Sequence, residues 1–222
     1  MSVHLQKALK QLEQMLLGIS SLAQQNIQKA VQAFEQRDTE LARQVMDADD
    51  EIDAMEVDIE EECLKMLALY QPVAVDLRFI VAALKINNDL ERVGDLAKNI
   101  AKRVDILAQN PQVQIPFDFK PIGKHTLDLL DKTLDAFVQL DLHKAYEIGD
   151  MDKLIDEEHS NAENAVIRAI QRTPENDRCL LQTLWVSRSL ERVGDHATNI
   201  AEDIIYILEG EIIRHSDKEQ KS

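Results

Sequence analysis

A twelve-residue segment occurs twice in this chain of 222 residues. LERVGDLAKNIA occupies residues 90–101 and LERVGDHATNIA occupies residues 190–201, so ten of the twelve residues are identical at a spacing of 100. Both copies place a Glu and an Asp four residues apart. Repetition at a fixed distance indicates a duplicated structural unit.

The duplication extends well before this segment. AFEQRD at residues 33–38 matches AFVQLD at residues 136–141, at an offset of 103. Three further acids match at the same offset: Asp49, Asp53 and Glu60 correspond to Asp152, Asp156 and Glu163. Because the offset falls to 100 in the later segment, the second unit has a slightly shorter connection before its last helix.

Apolar residues recur at helical spacing between the five prolines, which predicts six helices. Their expected ranges are residues 4–37, 40–70, 72–109, 121–139, 142–172 and 174–209. Asp38 and Asp141 are expected to cap the second helix of each half. Pro72 and Pro174 are expected at the first helical position of the third, with Thr173 as an N-cap.

The predicted fold is all-α, a tandem repeat of two antiparallel three-helix bundles. The expected domains are residues 1–110 and residues 120–210, followed by a polar tail at residues 211–222. The irregular stretch NPQVQIPFDFKP, residues 110–121, is expected to link the two bundles.

Charge and hydropathy exclude several classes of function. The formal net charge of −16 disfavours binding to nucleic acid. The most apolar run, LRFIVAALKI, is too short to span a bilayer, so no direct membrane insertion is expected and membrane association would require a partner. Cys63 and Cys179 lie in apolar helical pattern, which predicts buried, reduced thiols and a cytoplasmic protein.

Acidic residues form matched rows on the second and third helices of each half. The row on the third helix begins with apolar residues, including Leu77 and Leu181, which favours burial of its upper part. The expected metal ligands are Asp49, Asp53, Glu91 and Asp95 in the first half, and Asp152, Asp156, Glu191 and Asp195 in the second. Accessory ligands are expected at Asn99, Asn199, Glu60 and Glu163.

Like charges four residues apart destabilise a helix, and facing carboxylates repel unless a cation lies between them. Oxygen ligands of high negative charge suit Mg²⁺, Ca²⁺, Mn²⁺ or iron. The alternative interpretation is a solvated acidic face with Arg92, Arg192 and Lys98 as neighbours. Gly94 and Gly194, inside helices, indicate close approach of a helix or a ligand.

Two other residues have a simpler interpretation than ligand binding. Asp156 and His159 resemble half of a di-iron ligand pattern, but the first half has Glu56 in place of the histidine, so His159 is interpreted as incidental. Trp185 is expected in the core. Among the known catalytic motifs, those for nucleophiles, zinc proteases and phosphate loops do not occur.

The paired segments LERVGDLAKNIA and LERVGDHATNIA, within tandem three-helix halves, resemble the PhoU family over about residues 4–210. The resemblance implies a bacterial regulator of phosphate uptake, associated with the phosphate ABC transporter and a membrane sensor histidine kinase. It implies repression of phosphate-starvation signalling when phosphate is plentiful. It also implies metal clusters on the bundle surface, held by the eight acids named above.

Three functions are compatible with these features. The first is a non-enzymatic, metal-binding adaptor in the cytoplasm, a homodimer that reaches the inner membrane through its partners. The second is a carboxylate-bundle protein for metal storage or redox chemistry, and the absence of paired Glu-x-x-His motifs weakens it. The third is a purely structural dimerising bundle whose acids serve solubility.

Overall fold

A computed structural model describes residues 3–212, and six α-helices account for most of them. The helices are α1 Val3–Gln36, α2 Thr39–Tyr70, α3 Ala74–Ala108, α4 Lys120–Gln139, α5 Leu142–Arg172 and α6 Asp177–Glu209. A short 3₁₀ turn, Pro174–Asn176, precedes α6. The sequence analysis predicted all six helices, and their observed ends differ from the expected ones by at most a few residues.

The N-caps of the two second helices are confirmed. The carboxylate of Asp38 accepts hydrogen bonds from the backbone N–H groups of Glu40 and Leu41, and Asp141 accepts them from His143 and Lys144. Each aspartate therefore satisfies donors that have no partner within the helix.

The predicted starts of the two third helices are wrong. Pro72 lies before α3, which begins at Ala74. Pro174 opens the 3₁₀ turn, and α6 begins three residues later, at Asp177. Thr173 does not cap the turn, because its hydroxyl donates backwards to the carbonyl oxygen of Ala169 on α5.

The tandem arrangement of three-helix units is confirmed. Helices α1, α2 and α3 pack together in the first half, and α4, α5 and α6 in the second. Short connections join long neighbouring helices, so consecutive helices run antiparallel. The two halves also pack firmly against each other, chiefly through α3 and α6, and their apolar side chains form one continuous core.

An apolar row on each third helix, here called its seam, lies at the centre of this core. Leu90, Val93, Ala97 and Ile100 are fully buried, and so are Leu190, Val193, Ala197 and Ile200. Cys63 and Cys179 are buried free thiols, as predicted, and burial raises the pKa of Cys63 to about 12. Between residues 3 and 212, none of the helices has the length and apolar character needed to span a bilayer.

The linker between the halves is anchored to the first half. Arg37 donates hydrogen bonds to the carbonyl oxygens of Leu107, Asn110 and Val113, at 3.1, 3.2 and 2.6 Å. Phe119, at the end of the linker, is buried with its ring centroid 4.4 Å from that of Phe34. These contacts hold the linker against the ends of α1 and α3. Most of the predicted polar tail, residues 213–222, lies outside the described residues.

Polar pairs cross the interface between the halves. Lys85 on α3 donates to the buried carboxylate of Asp203 on α6 at 2.9 Å. Asp89 on α3 is 9% exposed, and its Oδ1 lies 2.8 Å from Nδ1 of His196 on α6. Because a buried carboxylate is costly without a partner, these pairs favour one relative position of α3 and α6.

Removing either N-cap should destabilise the fold by a small, defined amount. Asp38→Ala and Asp141→Ala should each lower the free energy of unfolding by about 1 kcal/mol, because two backbone donors lose their acceptor. For a chain of this size the expected fall in melting temperature is roughly 2–4 °C, measured by calorimetry. Asp38→Asn and Asp141→Asn are the controls and should melt close to the wild type, since asparagine caps equally well. Equal melting of the alanine and asparagine variants would contradict this role.

Candidate metal site

The acidic rows of α2 and α3 face each other across a groove, here called groove one and defined by Asp49, Asp53, Glu91 and Asp95. Burial raises the pKa of Asp53, and the charges of Asp49 on its own helix and Asp95 on α3 raise it further. Burial also raises the pKa of Glu91, with added effects of Asp95 and of Asp53 across the groove. The four predicted ligands of the first half are therefore electrostatic neighbours.

The second half has the same arrangement between α5 and α6, here called groove two and defined by Asp152, Asp156, Glu191 and Asp195. Burial raises the pKa of Asp152 to about 7, and the charges of Asp156, Asp195 and Glu191 contribute. Burial and the charges of neighbouring acids also raise the pKa of Glu191 and Asp195. The predicted ligands of the second half are likewise neighbours.

Exposure differs along each row. Asp49 is 1% exposed and Glu191 is 9% exposed, whereas Asp53 and Asp156 reach solvent. Each groove thus has a buried inner side and an open outer side. An ion could enter from solvent and still meet carboxylates that water reaches poorly.

The four predicted accessory ligands do not lie together with the main acids of the grooves. Glu60 and Glu163 are exposed at the far ends of their rows. The amide nitrogen of Asn199 donates to Asp89 at 3.3 Å, so this side chain takes part in the interface between the halves. Asn99 is half-buried, and its backbone carbonyl accepts a hydrogen bond from Arg103.

Buried carboxylate oxygens without a hydrogen-bond partner occur at matched positions in the two grooves. They are Oδ1 of Asp49, Oε2 of Glu91, Oδ1 of Asp152 and Oε2 of Glu191, and of these Oε2 of Glu91 lies 3.3 Å from Nε of Arg92 in an ion pair. An unpaired buried acceptor is costly, and a hard divalent or trivalent cation satisfies such oxygens directly. The donor set therefore fits a metal such as Mg²⁺, Ca²⁺, Mn²⁺ or iron.

The acids do not form a ready coordination shell. Within residues 3–212, no three side chains of the His, Cys, Asp and Glu types converge closely enough to hold one ion. Ligand binding would therefore require rotation of the side chains, which the exposed outer acids have room to make.

The two buried glycines of the third helices are explained by close packing. A Cβ at Gly94 would lie 3.0 Å from Ile52 Cδ1 on α2. A Cβ at Gly194 would lie 2.3 Å from Oδ1 of Asp152 on α5. The neighbouring helix, rather than a ligand, accounts for both glycines, and Gly194 makes the space that the Asp152 carboxylate occupies.

Groove two continues into a cavity of about 370 Å³ that has Trp185, His159 and Arg188 among its lining residues. The predicted core position of Trp185 is wrong, because its side chain is 54% exposed and lies under the guanidinium of Arg103, 5.8 Å from the ring centroid. His159 Nδ1 lies 2.9 Å from the hydroxyl oxygen of Ser187, and burial lowers the pKa of this histidine. The continuation of the acidic row towards Leu181 is also exposed, contrary to its expected burial.

In metal-depleted protein, Asp152 should make the fold less stable as the pH rises. Its pKa is raised from 3.8 to about 7, so the folded chain holds this proton more tightly than the unfolded chain does. This contribution is fully present below the lower value and is lost as the pH approaches the upper one. The Asp152→Asn variant should lose less melting temperature than the wild type between about pH 4 and pH 7.

The measurement is thermal melting by circular dichroism in the presence of a chelator. Asp128→Asn, at an exposed position on α4, is the matched control and should keep the wild-type pH dependence. Parallel pH profiles for the wild type and Asp152→Asn would refute the assignment.

Comparison with known proteins identifies the duplicated unit. The model of the PhoU domain matches the chain twice, at residues 16–104 and residues 119–204. A phosphate-specific transport system accessory protein PhoU homolog from Aquifex aeolicus is 36% identical over 215 residues, which are 97% of each chain. The homolog of that name from Pseudomonas aeruginosa is 37% identical over 90% of this chain and 83% of its own length.

Solved structures agree with these sequence matches. The crystal structure of PhoU from Pseudomonas aeruginosa superposes with a TM-score of 0.88 at 35% identity, covering 93% of this chain and 99% of that one. The phosphate transport system regulatory protein PhoU from Streptococcus pneumoniae superposes with a TM-score of 0.85 at 31% identity, covering 94% and 98%. On the evidence of sequence, duplication and fold, this chain belongs to the PhoU family.

Proposed function

We propose that this chain is a non-enzymatic accessory regulator of phosphate-specific transport. The observation that carries this proposal is similarity along 97% of the chain to a relative named for that role. The similarity includes both halves and the connection between them, so it describes a whole regulator and not one shared module.

The proposed mode of action is that of an adaptor. The chain would contact components of the phosphate ABC transporter and a membrane sensor histidine kinase from the cytoplasmic side of the inner membrane, as a homodimer. The continuous apolar core shared by the two halves supports this role, because packing between the halves favours one relation of the two grooves. A fixed pair of surfaces can bind two proteins without the entropic cost of ordering a flexible joint.

Metal ions are proposed ligands of both grooves. The support is the matched set of buried carboxylate oxygens that accept no hydrogen bond, on Asp49, Glu91, Asp152 and Glu191. A bound cation would neutralise facing carboxylates and turn a repulsive surface into one that accepts an acidic or anionic partner. Lys98, Arg92 and Arg188 already neutralise part of this charge.

The alternative of a metal-storage or redox bundle has weaker support. His159, which lies in the acidic row of α5, has its Nδ1 2.9 Å from the hydroxyl oxygen of Ser187, and its counterpart in the first half is Glu56. The main ligands predicted on the third helices are all Glu or Asp, with no histidine among them. An oxygen-consumption or peroxide assay of the metal-loaded protein separates this alternative from the adaptor, which should show no turnover.

Chelation should lower the melting temperature of the purified protein, because facing carboxylates lose their counter-ion. The double variant Asp95→Asn/Asp195→Asn should show a smaller chelator effect, since each groove then carries one charge fewer at unchanged shape. Asp128→Asn/Asp177→Asn removes two carboxylates outside the grooves and is the matched control. Unchanged wild-type melting, together with elemental analysis that finds no divalent or ferric ion, would exclude the metal.

The chain should be recovered with membranes only when its transporter and kinase partners are present. Protein-free anionic liposomes should not retain it, because a net charge of −16 is repelled by an anionic surface. Co-sedimentation with membranes from cells that contain or lack the phosphate transporter, at high and low phosphate, measures this. Stable binding to the liposomes, or equal recovery without the transporter, would refute the adaptor.

A further inference from the structure

The two copies of the repeated segment differ at only two positions, and one of them faces the groove. Position 98 is lysine in the first half, and the corresponding position 198 is threonine in the second. The other difference, Leu96 against His196, lies elsewhere: Leu96 is buried, and His196 contacts Asp89 of the other half. Position 98/198 is therefore the place where the repeated segment gives the two grooves different chemistry.

Lys98 places an ammonium group at the buried end of groove one. Its Nζ donates to Oδ2 of Asp49 at 2.5 Å, and Asp49 is 1% exposed. The positive charge acts on Asp53 as well. An ammonium group next to the carboxylates of Asp49 and Asp53 on α2 provides the charge compensation that a metal ion would otherwise provide.

Thr198 provides no such charge in groove two. The neutral hydroxyl of Thr198 is buried beside Asp152, where its interaction with the carboxylate lowers the pKa of Asp152 less than burial raises it. Glu191, across the groove, is nine-tenths buried and has Oε2 without a partner. Groove two therefore has a neutral hydroxyl group where groove one has an ammonium group.

The arginines increase the difference between the grooves. In groove one Arg92 contacts Glu91 at 3.3 Å and Asp95 at 3.1 Å. In groove two Arg188 contacts Glu191 at 2.6 Å, and among the described residues Asp195 has no ion pair. Four acids thus contact two cationic side chains in groove one and a single one in groove two.

We propose that the grooves are unequal metal sites: Lys98 occupies the cation position of groove one, and groove two is the tighter site for a divalent cation. This inference rests on the metal binding of the proposed function and adds an order of filling. A metal entering groove one must displace or repel an ammonium group that already neutralises Asp49. A metal entering groove two meets Asp152 beside the neutral hydroxyl of Thr198, so it has no ammonium group to displace.

The test exchanges the two residues in the full-length chain. Mn²⁺ alone is titrated into metal-depleted wild type, Lys98→Thr and Thr198→Lys, with calorimetry for affinity and stoichiometry and electron paramagnetic resonance for bound Mn²⁺. Thr198→Lys should weaken the tight class of sites by at least about tenfold, and Lys98→Thr should strengthen the weak class by a similar factor. Asp156→Asn assigns the tight class to groove two if it weakens that class alone.

Matched controls separate position from net charge. Lys102→Thr removes one lysine charge from an exposed site on α3, and Gln171→Lys adds one at the exposed end of α5. Both should bind Mn²⁺ like the wild type. Circular dichroism verifies folding, and Lys98→Thr tests the proposal independently if Thr198→Lys does not fold.

The outcomes distinguish this inference from the proposed function. Two equal sites in the wild type, unaffected by either exchange, would overturn the inequality and leave metal binding intact. A tight class that is lost in Lys98→Thr and kept in Thr198→Lys would reverse the assignment and overturn it as well. The absence of Mn²⁺ binding in every variant would overturn the metal-binding part of the proposed function itself.

Discussion

The burial of carboxylates beside an apolar seam is the constraint on which both halves depend. Leu90 and Ile52 on one side, and Leu190 and Ile155 on the other, are fully buried where the second and third helices meet. Each buried aliphatic side chain contributes roughly 1.5–3 kcal/mol, whereas a like-charged pair on a helix costs a few tenths. Packing therefore decides the position of the helices, and the acids beside the seam are forced together despite their repulsion.

Helices α3 and α6 combine this packing with the joining of the two halves. Asp195 of groove two lies one helical turn before Asn199, whose amide donates to Asp89 across the interface, and His196 contacts the same carboxylate. Groove two and the interface between the halves therefore share one short stretch of α6. A change in the charge of Asp195 therefore occurs within one helical turn of His196 and Asn199, whose contacts with Asp89 position the second half against the first.

The sequence predicts the features that repeat and the features that are local. Helical periodicity identified six helices, and the caps at Asp38 and Asp141 depend only on residues two and three positions away. The helix starts at Pro72 and Pro174 were predicted wrongly, because proline is tolerated in the segment before a helix as well as in its first turn. The family and the tandem fold followed from the repeated segment.

Helical periodicity does not predict contacts between residues that lie far apart in the sequence. Lys98 was recognised only as a neighbour of the acidic face, because its pairing with Asp49, 49 positions earlier, depends on the rotation of α2 about its axis. The same holds for Arg37, which reaches carbonyl oxygens more than 70 positions later along the chain. Trp185 was misplaced because an apolar residue that continues a helical row can line an open groove as well as a core.

The two halves differ at groove positions and agree at the buried seam positions of the third helices. The seam residues from position 90 to position 100 have identical counterparts 100 positions later, because any change would alter packing in a filled core. The groove positions tolerate change: Glu56 corresponds to His159 and Lys98 to Thr198. Duplication has thus kept one backbone and produced two surfaces of different charge and shape. A partner that contacts both grooves must recognise each by different chemistry, so the two halves are not interchangeable in binding even though their helices repeat.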